Sequence, residues 1–160
     1  MEERDPAAVE RFIERFTQAF VDAGVPRIAA RIFVTLLAVD DGQLTASELA
    51  ERVQASAAAI SGGVRYLAQV GMIQRSRAAG SRRDTYSVDD DVWYRLISQR
   101  DQILIRWTAN LREGAAALGE RTPAGSRMAE SIEFFEFLSK ELQGMVARWE
   151  EHRALLDKDR

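Results

Sequence analysis

The sequence predicts a mainly α-helical fold with one small β-hairpin. Three observations lead to this prediction. Apolar residues recur at helical spacing in successive segments, only three prolines interrupt the 160 residues, and two short strand candidates flank a turn rich in Gly and Arg. This length supports one hydrophobic core and leaves little room for a second, catalytic lobe.

Two helices are predicted at the start of the chain, an amphipathic one over residues 6–23 and a buried one over residues 27–39. Gly24 and Pro26 separate them, because both residue types interrupt helical patterns. Residues 40–42, with the sequence Asp-Asp-Gly, then give a turn signal that ends the second helix.

A pair of short helices follows this turn. Thr45 and Glu48 have the spacing of a capping box, which predicts a helix ending at Val53. Ser56 is an N-cap candidate for the next helix, over residues 57–70. The inward face of this second helix is predicted to carry Ile60, Val64 and Leu67. Two short helices joined by a few residues fit a helix-turn-helix.

The next segment has the pattern of a hairpin. Residues 72–77 and 85–88 are strand candidates, and the intervening residues 78–84 contain Gly and basic side chains. A hairpin with a basic tip directly after a helix-turn-helix is a wing. The predicted fold is therefore a winged helix-turn-helix.

Two long helices complete the chain. Three aspartates at residues 89–91 favour a helix start, and residues 114–125 contain Gly and Pro and are predicted to separate this helix from the last one. The last helix is predicted over residues 126–155, roughly 45 Å at ~1.5 Å per residue. Apolar residues three or four apart form a stripe along it: Met128, Ile132, Phe135, Leu138, Leu142, Met145 and Trp149. Because one small module cannot cover this stripe, we expect a partner chain to bury it.

The charge of the chain is unevenly distributed. The formal net charge is -3, but residues 54–87 contain five arginines and one acid and carry +4, so the rest of the chain carries -7. A DNA backbone requires a local cationic surface. The second short helix and the wing are the basic part, which makes double-stranded DNA the expected partner.

The candidate DNA-binding residues lie on the second short helix and the wing. They are Ser56, Ala57, Ala58, Ser61, Gly62, Arg65, Arg75, Arg77, Ser81, Arg82 and Arg83. Ser61 and Arg65 are the groove-reading candidates, although taken alone they also fit a solvated helix face. Arg82 and Arg83 are candidates for the minor groove or its phosphates, with a solvated turn as the alternative. Asp84 is expected to orient a neighbouring arginine.

The pair Gly62-Gly63 has two interpretations. Each glycine costs a helix about 1 kcal/mol relative to alanine. Missing side chains would let the backbone approach DNA or a neighbouring helix, whereas the alternative is tolerated variation.

Other classes of function are disfavoured by composition. The chain has no Cys and one His, His152, so thiolate metal sites, thiol nucleophiles and a zinc enzyme are not expected. It also lacks a phosphate-binding loop and a nucleophile elbow, and we predict neither an enzyme nor a bound cofactor. With no apolar run of about 20 residues and a charged N-terminus, we expect no membrane contact and a cytoplasmic location.

Three stretches resemble the MarR superfamily of bacterial winged-helix transcription regulators. They are residues 24–32 (GVPRIAARI), 66–73 (YLAQVGMI) and 80–86 (GSRRDTY). The first stretch, with Gly-x-Pro-Arg at the entry to the second helix, resembles the GbsR-like branch. The resemblance covers nearly the whole chain by the order of its elements, while the specific motifs lie between residues 24 and 88.

The resemblance implies a homodimer that reads a pseudo-palindromic operator. It divides the chain into an N-terminal dimerisation helix (1–25), a winged helix-turn-helix (26–88) and a C-terminal helical dimerisation region (89–160). It also implies a small-molecule effector that shifts the spacing of the two reading modules. Six aromatic residues are candidates for an effector pocket, although a core or dimer interface is the interpretation that we favour: Trp93, Tyr94, Trp107, Phe134, Phe135 and Phe137.

The overall prediction is a homodimeric transcriptional regulator, with a repressor favoured. The main alternative is a helical protein-protein interaction module that does not bind DNA. The basic wing discriminates between them, because such a module has no need for it.

Overall fold

The computed structural model describes residues 4–77, 80 and 82–156 of the chain. Within these residues it contains six helices and three strands, and the predicted mainly α-helical fold with a small hairpin is confirmed. In chain order they are α1 (Pro6–Asp22), α2 (Arg27–Leu37), β1 (Gln43–Thr45), α3 (Ala46–Val53), α4 (Ala57–Gln69), β2 (Gln74–Arg77), β3 (Asp84–Ser87), α5 (Val92–Leu118) and α6 (Pro123–Leu156).

The chain divides into two compact units between Val92 and Trp93. The first unit contains α1 to α4 and the three strands, and the second contains α5 and α6. Since α1 packs on α2 within the first unit, the predicted N-terminal dimerisation helix (1–25) belongs to the same unit as the winged module. Its role in a dimer concerns a partner chain and stays a prediction.

Helix α2 forms the centre of the first unit, where it contacts α1, α3 and α4. Its residues from Ala29 to Leu36 are buried except Arg31, whose guanidinium bonds to Glu10 and Glu14 of α1 at 2.6 and 2.8 Å. On the same side the Phe20 ring meets Phe33 edge-on, with ring centroids 5.3 Å apart. Burial of this apolar helix on several sides stabilises the unit.

Two side-chain caps define the helix-turn-helix. The Thr45 hydroxyl accepts a bond from the Glu48 backbone N–H at 3.3 Å, and the Glu48 carboxylate accepts one from the Thr45 N–H at 2.7 Å. This is the predicted capping box. The Ser56 hydroxyl accepts from the N–H of Ala59 at 3.2 Å and caps α4 as predicted. Between the helices Gln54 has a positive φ of 55°, which turns the chain sharply.

The sheet has one strand that sequence patterning missed. Its order is β1-β3-β2, and both pairs are antiparallel. In β1, Leu44 pairs with Tyr86 of β3, and both side chains are buried. A strand of three residues has too short a pattern to be recognised, since its stability depends on pairing with a distant strand.

The second unit differs from the prediction at the connection between its helices. Residues 114–125 were expected to separate them, but α5 continues through Gly114 to Leu118 and α6 begins at Pro123. Gly119, with a φ of 84°, ends α5. The Thr122 hydroxyl accepts from the Gly125 N–H at 3.0 Å and caps α6, and Pro123 suits the first helical position.

Polar contacts connect the two long helices. The Asp101 carboxylate of α5 accepts hydrogen bonds from Ser139 and Gln143 of α6, and these bonds hold the pKa of Asp101 below its usual range. The Tyr94 hydroxyl donates to Glu150 at 2.6 Å. Of the helices within residues 4–77 and 82–156, none has the length and apolar character needed to cross a membrane.

The two glycines of α4 give opposite predictions for stability. A Cβ at Gly63 would lie 2.6 Å from Ile32 Cδ1 and 3.1 Å from Ile28 Cγ2, so the fully buried side chain of Ile32 would have to shift. We expect Gly63→Ala to lower the free energy of unfolding by about 1–3 kcal/mol through overpacking. Urea denaturation at a fixed protein concentration measures this change.

Gly62→Ala is the matched control. A Cβ at Gly62 meets nothing within 4 Å, so the better helix propensity of alanine should raise the free energy of unfolding by up to about 1 kcal/mol. Equal effects of the two substitutions would contradict the packing of α4 on α2.

Candidate nucleic-acid interface

The outward face of α4 carries the predicted reading residues. Ile60, Gly63, Val64 and Leu67 are buried, and the remaining predicted residues of the helix and its cap are all exposed: Ser56, Ala57, Ala58, Ser61, Gly62 and Arg65. Among the described residues Arg65 has no ion-pair partner. The exposed face therefore consists of small and polar side chains with one arginine.

The hairpin presents two further predicted arginines on β2. Arg75 and Arg77 lie two residues apart and so share one face of the strand. In the register of β2 with β3, Arg77 is opposite Asp84 and Arg75 is opposite Tyr86. The Asp84 carboxylate therefore lies on the same face as both guanidinium groups.

Asp84 bonds to both of these arginines. Arg77 Nε donates to Asp84 Oδ1 at 2.8 Å, and the Arg75 guanidinium donates to Asp84 Oδ2. The hydrogen bond from Arg75, followed by that from Arg77, holds the pKa of Asp84 below its usual range, and the same pairing raises the pKa of Arg75. The sequence predicted that Asp84 orients one arginine, whereas the structure brings it to two.

The tip of the hairpin carries the last two predicted arginines. Arg82 and Arg83 are exposed, and Arg82 has no ion-pair partner among the described residues. The pKa of Glu48 in α3 is lowered mainly by its hydrogen bonds with Thr45, and the charge of Arg83 contributes to the same shift. Arg83 therefore lies within electrostatic reach of α3. Predicted site residue Ser81 lies outside the described residues.

A concavity of about 770 Å³ lies between α3, α4 and the hairpin. Arg65 of α4 and Arg75 of β2 line it together with small side chains, among them Ser61 and Ala68. Sequence analysis did not include α3 in the site, although Ser47 and Ala50 of α3 also line the concavity. The small residues of α3, exposed Ser47 and half-buried Ala50, were the available signal in the sequence, but only the fold shows that they lie beside α4.

The site has the chemistry of a surface that binds a polyanion. Its positively charged side chains are arginines, which outnumber the one carboxylate, that of Asp84, and their planar guanidinium groups suit bidentate contacts to phosphate or to guanine. Within residues 4–77, 80 and 82–156, no three His, Cys, Asp or Glu side chains are grouped to hold a metal ion.

Two family models match the chain over separate segments. One is described as the MarR family and matches residues 23–84. The other is described as MmpR5-like MarR family transcriptional regulator and matches residues 91–152. Together they cover more than three quarters of the chain, with one match on the winged module and one on α5 and α6.

Individual proteins are similar over most of the chain. The HTH-type transcriptional regulator MmpR5 of Mycobacterium tuberculosis (strain ATCC 25618 / H37Rv) is 27% identical over 146 residues, covering 88% of this chain and 86% of its own length. A crystal structure described as that of a transcriptional regulator superposes with a TM-score of 0.81 at 24% identity, covering 90% of this chain and 99% of its own, and this likeness shows the shared fold. Both matching models are of the MarR family and together span most of the chain, so the chain is similar over both of its units to winged-helix transcriptional regulators of that family.

Proposed function

We propose that the protein is a homodimeric, sequence-specific DNA-binding repressor. In this proposal α4 lies in the major groove and the arginines of the hairpin contact the DNA backbone or the minor groove. The observation that carries it is the exposed face of α4, which is free of large apolar side chains and adjoins the basic hairpin in the same compact unit.

Sequence reading is assigned to Ser61 and Arg65, with the N-terminal residues of α4 approaching the bases and phosphates. Arg65 is exposed and forms no ion pair within the described part of the chain, so its guanidinium is available for guanine O6 and N7. The exposed Gly62 lets the α4 backbone come close to DNA, because a Cβ there would project into open space.

Dimerisation is supported by exposed apolar side chains on the second unit. On α5, Trp107 is 53% exposed, and on α6, Phe137 is 64% exposed. Several other large apolar residues of the same two helices are also exposed: Trp93, Ile97, Ile105, Phe134, Met145, Trp149 and Leu155. Exposed apolar surface on two long helices is typical of an interface between chains. A second copy would bury it.

The repressor role and regulation by a small-molecule effector are proposed from the family. Within the second unit Trp107 and Phe135 have ring centroids 5.7 Å apart, and a shallow surface recess lies beside them with Asn110 and Leu111. The aromatic residues thus either line an effector pocket or pack in the dimer interface, and we favour the interface. The GbsR-like branch stays a prediction, since the model that matches α5 and α6 is MmpR5-like. We propose that the protein acts in the cytoplasm.

The hairpin tip is tested by substituting its two arginines. Arg82→Ala combined with Arg83→Ala should weaken binding to all duplex sequences and make its salt dependence shallower, by about 0.9 in the log-log slope for each phosphate that the tip no longer neutralises. Fluorescence anisotropy over a salt series measures both quantities. Arg121→Ala with Arg127→Ala removes the same charge from exposed positions of the second unit and should leave the slope unchanged. An unchanged slope in the tip variant would refute the role of the tip.

Arg65 is tested by its effect on sequence preference. Fragments selected from genomic DNA by the protein first define a binding site, and a panel of single-base variants then measures discrimination. We expect Arg65→Ala to lose about 1–3 kcal/mol of discrimination at one position of each half-site. Equal discrimination by both proteins across the panel would remove Arg65 from the reading set.

The dimer is tested by placing charges in its proposed interface. Phe134→Glu combined with Phe137→Glu should give a monomer, because the partner chain would have to bury two carboxylates. Light scattering after size-exclusion chromatography measures the mass. Ala129→Glu adds a charge at an exposed position on another side of α6 and should leave the dimer intact. A variant dimer as stable as the natural one would contradict this interface.

Binding to DNA in the first of these experiments also decides against the alternative function. A helical protein-protein interaction module would show no salt-dependent affinity for duplex DNA. One titration of the natural protein with duplex DNA therefore distinguishes the two functions.

A further inference from the structure

Three arginines of the hairpin, Arg75, Arg77 and Arg82, are in two different electrostatic situations. At the tip, Arg82 forms no ion pair with any described residue. On β2, Arg75 and Arg77 both bond to the single carboxylate of Asp84. The positive charge of the hairpin is therefore only partly available to a ligand.

The partners in these ion pairs differ in their exposure to solvent. The Asp84 side chain is 17% exposed, whereas those of Arg75 and Arg77 are 58% and 55% exposed. A carboxylate with little exposure is screened less by salt than a surface one, so its attraction to both guanidinium groups persists at moderate ionic strength. The outer edges of the guanidinium groups nevertheless remain open to an approaching phosphate.

We propose that Asp84 is a specificity-determining residue that weakens the affinity of the hairpin for DNA of any sequence. Its negative charge opposes every phosphate that approaches Arg75 or Arg77, and it reduces the net charge of this three-residue cluster to +1. Stable binding then depends on the base contacts of α4. This inference rests on the proposed DNA-binding function.

The mechanism follows from how charge contributes to DNA binding. Contacts to phosphates add affinity without regard to sequence, and base contacts supply the difference between sites. A carboxylate that weakens the phosphate contacts leaves the base contacts unchanged. The ratio of specific to non-specific affinity is therefore larger with Asp84 than without it.

The first test replaces the carboxylate with the isosteric amide, Asp84→Asn. We expect affinity for a random-sequence duplex to rise about tenfold. A guanidinium released from Asp84 can form a charged hydrogen bond to a phosphate, and such a bond is worth roughly that factor. The log-log salt slope should steepen by about 0.9 to 1.8, for one or two additional phosphates neutralised. Affinity for the selected site should rise less, so the specificity ratio falls.

Asp90→Asn is the matched control, since it makes the same change in total charge at an exposed residue outside the hairpin. We expect its slope and affinity to equal those of the natural protein. If Asp84→Asn leaves random-duplex affinity and slope unchanged, or lowers both, the inference is overturned and Asp84 acts only to hold the hairpin.

A second comparison keeps the test independent of the ion pairs that Asp84→Asn breaks. Arg75→Gln, Arg77→Gln and Asp84→Asn combined should lower random-duplex affinity by a smaller factor than Arg75→Gln with Arg77→Gln alone, because the triple variant leaves no carboxylate to oppose the phosphates. An equal or larger loss would overturn the inference. If the natural protein itself shows no affinity for duplex DNA, the proposed function fails, which is a separate outcome.

Discussion

The reading module depends on how closely α4 lies against α2. At Gly63 the two helices approach to a distance that leaves no space for a side chain, because Ile32 and Ile28 occupy it. Successive helical residues are rotated by about 100°, so fixing Gly63 and Leu67 in the core turns Gly62 and its exposed neighbours outward. This steric contact helps to determine which side chains α4 offers to a ligand. It accounts for Gly63 by close approach to a neighbouring helix, whereas a role of Gly62 at DNA stays a prediction.

Features that depend on neighbours in the chain could be predicted from sequence. The caps at Thr45 and Ser56 involve residues three positions away, and both occur as expected. β1 could not be predicted, because its partner β3 is about forty residues further along the chain. The connection after α5 was misjudged for a different reason. Gly114 signals a break, but the helix continues to Leu118 and ends at Gly119, which has a positive φ.

The sequence was sufficient to predict which residues form the candidate site, but not which of its charged side chains pair with each other. Helical periodicity identified the exposed face of α4, and the count of charges located the basic segment. Neither of them shows which charges touch, since the contact of Asp84 with Arg75 and Arg77 follows from the register of β2 and β3. A net charge of +4 over this segment therefore overstates the charge that is open to DNA. Charge sums become informative about binding only when the fold assigns each charge its neighbours.

The junction between β1 and α3 has a mechanical consequence. Thr45 is the last residue of β1 and the capping residue of α3, so the sheet continues into the helix-turn-helix without a linker. The hairpin pairs with β1 through β3. Thr45 takes part both in the pairing of β1 with β3 and in the capping box of α3. Tilting the hairpin relative to α3 would therefore break one of these two interactions. The hairpin and the helix-turn-helix are therefore mechanically coupled through Thr45, and the pairing of one element opposes a tilt of the other.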